Sequence, residues 1–142
     1  VIDRKKYGHA EGLAKGAYIL ADTDGTPDVI IIATGSEVNI SLAAKDKLLE
    51  KGIKARVVSM PSIELFNENP REYRDKVLPP DVKNRVVVEA GLSMGWERYA
   101  GEKGVIIGID TFGASAPGGT VMKRFGFTAE NIVEKAMGLL GK

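Results

Sequence analysis

Apolar residues along the chain fall into short, uninterrupted runs that are rich in β-branched side chains. Such runs are typical of strands in a parallel sheet that is covered on both faces, because every side chain is then buried. The four strong runs are residues 29–33, 55–59, 86–89 and 105–109. A weaker run, residues 17–21, precedes an Asp24-Gly25 turn. We therefore predict a fifth strand there, an antiparallel hairpin partner of the first strong strand at the sheet edge.

The segment after the first strong run has the pattern of a helix. Ser36 is its predicted N-cap, and Gly52 is predicted to end it. Its predicted apolar face consists of Val38, Leu42, Leu48 and Leu49. Lys45 falls inside this face, which indicates that the helix packs on one flank while the lysine stem lies along the surface.

The second half of the chain predicts two clear further helices, and the stretch GLSMGWERYAG after the third strong run allows one or two helical turns between them. An irregular, proline-rich link leads into a short helix over about residues 70–77, with proline in its first turn. The stretch TAENIVEKAMGLLG predicts a longer helix that Thr128 caps. Its predicted shared face consists of Ile132, Val133, Ala136 and Leu140.

Together these elements predict an α/β fold. It has three layers, α/β/α, around a five-stranded, mostly parallel sheet with one antiparallel edge strand. Residues 1–142 form a single predicted domain, and residues 1–14 are its leading linker segment. The chain starts at Val1, with neither methionine nor a signal-like stretch, so we expect it to be a piece of a longer protein.

Composition excludes several classes of function. Lys plus Arg total 20 and Asp plus Glu total 19, so the sequence predicts no basic surface for nucleic acid. The apolar runs are only as long as strands, so no membrane span is predicted. The chain has no cysteine, which excludes disulfides, thiolate zinc sites and a cysteine nucleophile. This fits a cytoplasmic protein.

One candidate anion site lies where the first strong strand meets its helix, at Thr34, Gly35 and Ser36. Backbone N–H groups and the helix dipole favour an anion at such a position. The alternative is a plain strand-to-helix turn, and Glu37 favours it, because a carboxylate beside the site repels an anion.

A second glycine-rich stretch, GASAPGGT, follows the last strong strand and has the G-x-x-x-x-G spacing of a phosphate loop. Gly119 occupies the position of the essential lysine and Pro117 removes one N–H, so nucleotide binding of that type is not expected. Gly113 and Ser115 would nevertheless face Thr34 to Ser36 across the carboxyl ends of the strands. A regulatory module that binds a nucleotide or a sugar phosphate there is our alternative functional hypothesis.

Catalytic and metal-binding patterns are absent from the sequence. The only histidine, His9, lies in a charged N-terminal segment and is interpreted as a surface residue. Glu89 ends a buried strand, where its carboxylate is either tuned for acid–base work or, as we favour, accepts backbone hydrogen bonds. No nucleophile elbow or metal-ligand cluster is present. We assign no catalytic residue, no cofactor-binding residue and no metal ligand.

Six motifs follow one another along the chain: DVIIIATGSEV, KARVVSMPS, YRDKVLP, VVVEAG, DTFGASAP and FGFTAENIVEKA. In this order and at this spacing, they resemble the C-terminal domain of transketolase. The resemblance covers nearly the whole chain. It implies the same fold, a five-stranded sheet with one antiparallel edge strand.

The resemblance also implies a parent enzyme that uses thiamine diphosphate and a divalent metal, Mg or Ca. That enzyme moves two-carbon ketol units between sugar phosphates in the pentose phosphate pathway, with its catalytic groups in two earlier domains of a homodimer. The fragment is therefore expected to be inactive alone, with no cofactor of its own. Its expected partners are the other transketolase domains and the second subunit. We predict interdomain contacts at Glu89, Phe112 and Gly113.

Overall fold

The computed structural model describes residues 15–33, 37–89, 105–108 and 128–141. The strands are β1 (Tyr18–Ala21), β2 (Val29–Ala33), β3 (Ala55–Ser59), β4 (Arg85–Glu89) and β5 (Val105–Gly108). The helices are α1 (Glu37–Glu50), α2 (Ile63–Asn67), α3 (Arg71–Val77) and α4 (Ala129–Leu139). The strong apolar runs therefore all contain strands. The first two have the predicted bounds, and β4 begins one residue earlier than predicted.

The strands form one sheet in the order β1-β3-β2-β4-β5. β2 is parallel to both β3 and β4, and β4 is parallel to β5. β1 is antiparallel to β3, at the edge of the sheet. The predicted mixed α/β fold with one antiparallel strand pair is confirmed.

The prediction that β1 pairs with β2 is wrong. β1 pairs with β3, with Tyr18 opposite Ser59, and not with β2 as a hairpin. β2 occupies the centre of the sheet, where β3 and β4 already use both of its edges. The β1–β2 connection therefore has to pass β3, even though Gly25 makes a turn in it, with φ of +67°.

Helices cover the sheet on both faces, which explains why every residue of β2 is buried. On one face, Ile31 and Ala33 pack in a cluster with residues of α1 and α4. On the other face, Ile30 and Ile32 pack with Phe66 of α2 and with Val77 of α3 and the loop after it. Alternate side chains of one strand thus belong to two separate cores.

The buried face of α1 differs from the predicted one at one position. Val38 and Leu48 are buried and Leu42 is half-buried, but Leu49 is 56% exposed. Ser41 and Ala44 are fully buried in its place. Their small side chains let the helix approach the sheet closely, so the helix turns that side inward. Lys45 is half-buried, in line with its predicted position beside the packed flank.

The proline-rich link contains a helix, α2, that the sequence analysis missed. Ser62 is its N-cap, and the Ser62 hydroxyl accepts a hydrogen bond from the backbone N–H of Leu65 at 3.2 Å. α3 follows, with Pro70 as its N-cap and Val77 as its last residue, close to the predicted helix. The sequence signal for α2 is Ser62, a favoured N-cap residue, followed by Glu64, an acidic residue in the first helical turn.

Thr128 caps α4 as predicted: its hydroxyl accepts a hydrogen bond from the backbone N–H of Asn131 at 3.1 Å. Of the predicted face, Ile132, Val133 and Ala136 are buried, whereas Leu140 follows the helix as its C-cap and is half-buried against the same core. We expect Thr128→Ala to lower the free energy of unfolding by about 1 kcal/mol, because that N–H loses its acceptor. Thr128→Ser should be close to wild type. Urea unfolding followed by circular dichroism checks both, and equal losses in the two variants would contradict the cap.

Candidate functional site

The predicted anion site lies outside the described residues, at Thr34 to Ser36 and at Gly113 and Ser115. His9 and the predicted contact residue Phe112 also lie outside them. Of the predicted site residues, Glu89 has a described backbone, as the last residue of β4, opposite Gly108 of β5. The structure therefore describes the carboxyl ends of the strands, beside which the predicted cleft would lie.

The parallel strands β2, β3 and β4 end within one residue of one another, and we call the side of the sheet where they end its carboxyl edge. Ala33, the last residue of β2, lies opposite Ser59 of β3 and opposite Val88 of β4. The backbone N–H of Met60 donates to the Ala33 carbonyl at 2.8 Å. β1 starts at the same edge, because it is antiparallel and Tyr18 lies opposite Ser59. The start of β1 and the ends of the central strands β2, β3 and β4 thus lie on the same side of the domain.

Residues 15–17, which we call the docked segment, are held against α2 and α3 at this edge. The Asn69 side-chain amide donates to the Lys15 carbonyl at 2.7 Å. The Ser62 backbone N–H donates to the Gly16 carbonyl at 3.1 Å, and the Tyr73 hydroxyl donates to the Ala17 carbonyl at 2.8 Å. Three successive carbonyls are therefore bound by groups of one helical pair.

Two further contacts strengthen the docked segment. The Lys15 ammonium lies 4.3 Å from the centroid of the Tyr73 ring, a cation–π distance. Gly16 has φ of +80°, and a Cβ built on it would lie 2.4 Å from the Phe66 nitrogen. Only glycine allows the backbone to come so close to α2.

Burial raises the pKa of Tyr73 above its usual value. A raised folded-state pKa leaves stability intact below about pH 10 and lowers it as pH rises further, because the unfolded state loses its proton first. We expect Tyr73→Phe to show a weaker loss of stability above about pH 10 than wild type. At neutral pH the variant should lose roughly 1 kcal/mol with its bond to Ala17. Urea unfolding across this pH range tests both, and parallel pH profiles would contradict the assignment.

Two arginines on the strands that flank β2 are the other notable polar groups. Arg56 of β3 and Arg85 of β4 both lie opposite Ile30 of β2. Arg56 is 8% exposed and donates to the Asp22 carboxylate at 2.9 Å and to the Lys76 and Val77 carbonyls. Its donors are turned toward protein acceptors, so a structural role explains Arg56 better than anion binding.

Arg85 binds the loop that follows α3. It donates to the carbonyls of Leu78, Pro79 and Val82 at 2.9–3.4 Å. Burial lowers the pKa of its guanidinium. Arg85 and Arg56 thus both donate to carbonyls at or just after the end of α3. Cationic donors are favoured at this position, because the carboxyl end of a helix carries partial negative charge.

A groove of about 490 Å³ lies between the end of α1 and the start of α4. Lys47, Glu50, Lys51, Glu130 and Val133 line it. The Lys47 ammonium lies 3.5 Å from the Glu130 carboxylate across it, and both side chains are exposed. The pKa of Glu130 is lowered, first by a hydrogen bond to its own backbone N–H and then by Lys47. The groove is lined by two lysines, two glutamates and one apolar residue, Val133, so its charges cancel. This lining gives no basis for proposing a bound ligand here.

The described part of the chain shows no cluster of three or more His, Cys, Asp or Glu side chains that could hold a metal ion. Within that same part, every buried side-chain nitrogen or oxygen has a hydrogen-bond partner, so no orphaned polar atom marks a missing ligand. None of the helices in these residues has the length and apolar character needed to cross a membrane.

Comparison with known proteins identifies the family. The model of the transketolase-like TK C-terminal domain matches residues 16–128, which is most of the chain. The chain belongs to the transketolase family. The resemblance predicted from the motifs is confirmed, as is the position of the chain in the C-terminal part of a transketolase.

Individual transketolases agree with this. The transketolase of Aquifex aeolicus is 54% identical over 136 residues, which are 96% of this chain and 20% of that protein. Transketolase 1 of Escherichia coli is 50% identical over 128 residues, 90% of this chain and 19% of that protein. The solved transketolase from Leishmania mexicana matches with a TM-score of 0.83 at 41% identity, over 94% of this chain and 19% of that chain. The chain thus spans about one fifth of the length of the curated relatives it matches.

Within this transketolase domain, the sequence analysis missed the polar groups that the structure makes prominent. Arg56 interrupts an apolar run, and an arginine inside a buried strand signals a paired charge. Gly16 directly before β1 is a weaker signal, because nothing in the sequence shows that α2 packs against it. Both features join segments far apart in the chain, so local patterns could not reveal them.

Proposed function

We propose that this chain is a non-catalytic C-terminal domain that supports the interdomain packing and the dimerisation of a transketolase. One observation carries the proposal: the chain aligns over 96% of its length with only 20% of a transketolase. The rest of such an enzyme is available for catalysis. The prominent polar groups of the described residues, Arg56, Asn69 and Tyr73, bind main-chain carbonyls of the domain itself.

The parent enzyme, in this proposal, transfers two-carbon ketol units between sugar phosphates in the pentose phosphate pathway. Its thiamine diphosphate and divalent metal, Mg or Ca, would bind in the polypeptide outside this domain. A cytoplasmic location and a leading linker over residues 1–14 belong to the same proposal.

We place the contacts with the other domains and the second subunit at the carboxyl edge of the sheet. Glu89, Phe112 and Gly113 are the proposed contact residues. The register of the sheet supports this placement, because Ala33 lies opposite Ser59 and Val88, so the ends of β2 and β3 lie on the same side of the sheet as Glu89. A partner that rests on this side would touch several strand ends at once.

The experiment that tests the proposed function compares three proteins. They are the 142-residue chain, a chimera of it with the preceding polypeptide of the Aquifex aeolicus relative, and the chimera lacking this domain. We expect no ketol transfer by the chain alone, activity in the chimera, and a smaller dimer fraction after deletion. Enzyme assays and analytical ultracentrifugation measure these. Ketol transfer by the chain alone, or an unchanged dimer after deletion, would refute the proposal.

The alternative, a regulatory site for a nucleotide or sugar phosphate at Thr34, Gly35, Ser36, Gly113 and Ser115, remains a prediction. Thermal unfolding with inorganic phosphate, ATP or ribose 5-phosphate tests it. A ligand at 100 times its dissociation constant should add roughly 2.7 kcal/mol. Ser36→Ala and Ser115→Ala should reduce that gain. A flat response to all three ligands would end the hypothesis.

A further inference from the structure

The docked segment determines where the polypeptide that precedes it enters the domain. Its carbonyls are bound by Ser62, Asn69 and Tyr73, so residues 15–17 lie against α2 and α3. Because Tyr18 lies opposite Ser59, this arrival point is at the carboxyl edge of the sheet. Any polypeptide that precedes residue 15 therefore approaches the domain beside α2.

An exposed leucine stands directly beside this point. In the part of the chain that the structure describes, two large apolar side chains are exposed: Leu65 at 43% and Leu49 at 56%. Exposed leucines are ordinary on protein surfaces, so exposure alone carries no argument. Leu65 differs from Leu49 by its neighbour, because a Cβ built on Gly16 would lie 2.7 Å from the Leu65 Cβ. Leu49 is in the last turn of α1, which leads through Gly52 to the amino end of β3.

We propose that the surface formed by Leu65 and the docked segment is the contact face for the polypeptide that precedes this domain in the full-length transketolase. The inference rests on the proposed function, which places contacts at Glu89, Phe112 and Gly113, and it adds Leu65 and the docked segment to them. About four fifths of a relative's length lies outside the matched region, so a large body of polypeptide is available to cover this face. The face is also at the same edge of the sheet as Glu89, which ends β4.

The chain has no cysteine, so an introduced cysteine is the single thiol of these 142 residues, and peptide-resolved mass spectrometry separates it from any thiol of a fused polypeptide. Leu65→Cys and the matched control Leu49→Cys are made in the 142-residue chain and in the chimera with the Aquifex aeolicus polypeptide. Maleimide labelling is followed for each peptide by mass spectrometry, with hydrogen exchange on the same samples. In the isolated chain both positions should react readily. In the chimera, labelling at position 65 should slow by about tenfold or more, because access controls thiol reactivity, while position 49 should stay fast.

Each of the other outcomes would overturn either this inference alone or the proposed function with it. If position 65 stays reactive while other peptides of the domain gain exchange protection in the chimera, the contact face is elsewhere and only this inference fails. If position 65 is already protected in the isolated chain, the chain itself or a second copy of it covers the face, and the inference also fails. If no peptide of the domain gains protection, the domain does not pack against the rest, and the proposed function fails with it.

Discussion

Gly16→Ala is expected to lower the free energy of unfolding by roughly 3 kcal/mol, one of the two largest effects of a single substitution that we predict. Gly16 has φ of +80°, a conformation that disfavours any side chain. Its new Cβ would also lie 2.4 Å from the Phe66 nitrogen and 2.5 Å from the Ser62 carbonyl oxygen. These are backbone atoms of α2 and its cap, which cannot turn aside as a flexible side chain does. For a domain of this size the melting temperature should fall by about 10 °C.

Gly25→Ala is the matched control for this prediction. Gly25 has a similar φ of +67°, but nothing lies within 4 Å of the Cβ position. It should therefore show only the backbone cost of a left-handed alanine, about 1 kcal/mol. The difference between the variants measures how tightly the docked segment packs on α2. In Gly16→Ala, hydrogen exchange at the Ser62 N–H should also accelerate, because its acceptor is the Gly16 carbonyl. Equal losses in the two variants would show that the close approach contributes nothing.

The strands were predictable because burial on both faces leaves a local signature. β2 and β3 are continuous apolar or small-residue runs, apart from Arg56, and such runs need no knowledge of neighbours. The pairing of β1 was not predictable in this way. Its partner depends on which strands already flank β2, a property of the whole sheet. Short separation along the chain favoured a hairpin, but the parallel neighbours of β2 exclude it.

The helices show the same division between local and long-range information. Thr128 and the face of α4 follow from capping chemistry and spacing within one segment. For α1, ranking side chains by hydrophobicity selected Leu49, whereas close helix–sheet packing selected Ser41 and Ala44. Small side chains become the buried ones wherever the backbone must approach closely, and this depends on the partner surface. The docked segment shows most clearly that long-range contacts cannot be predicted from local patterns. Each of its hydrogen bonds to Ser62, Asn69 or Tyr73 joins groups more than forty positions apart in the chain.

Arg56→Met is expected to lower the free energy of unfolding by roughly 3 kcal/mol, because it removes the guanidinium donor from one buried and one partly buried carbonyl. The methionine retains the packing of the stem inside the core but removes the guanidinium. The Val77 carbonyl, at 3.3 Å, is buried and the Lys76 carbonyl, at 3.0 Å, is partly buried, so water cannot fully replace the lost bonds. Arg56→Lys should give an intermediate loss, since a single ammonium cannot reach these carbonyls and Asp22 together. The matched control is Arg71→Met, because Arg71 is exposed and pairs with Asp75 at 3.7 Å. This variant should change the free energy of unfolding by less than about 0.5 kcal/mol.

A double-mutant cycle separates the two roles of Arg56. Asp22 is 45% exposed, so its ion pair with Arg56 is largely screened by solvent. Asp22→Asn alone should therefore lower the free energy of unfolding by about 1 kcal/mol or less. The loss in Arg56→Met should remain in the Asp22→Asn background, because the carbonyl bonds of Arg56 do not depend on the carboxylate. If Asp22→Asn instead lowers stability as much as Arg56→Met, the ion pair is the dominant contact. Stability would then fall steeply with added salt, whereas bonds to buried carbonyls resist screening.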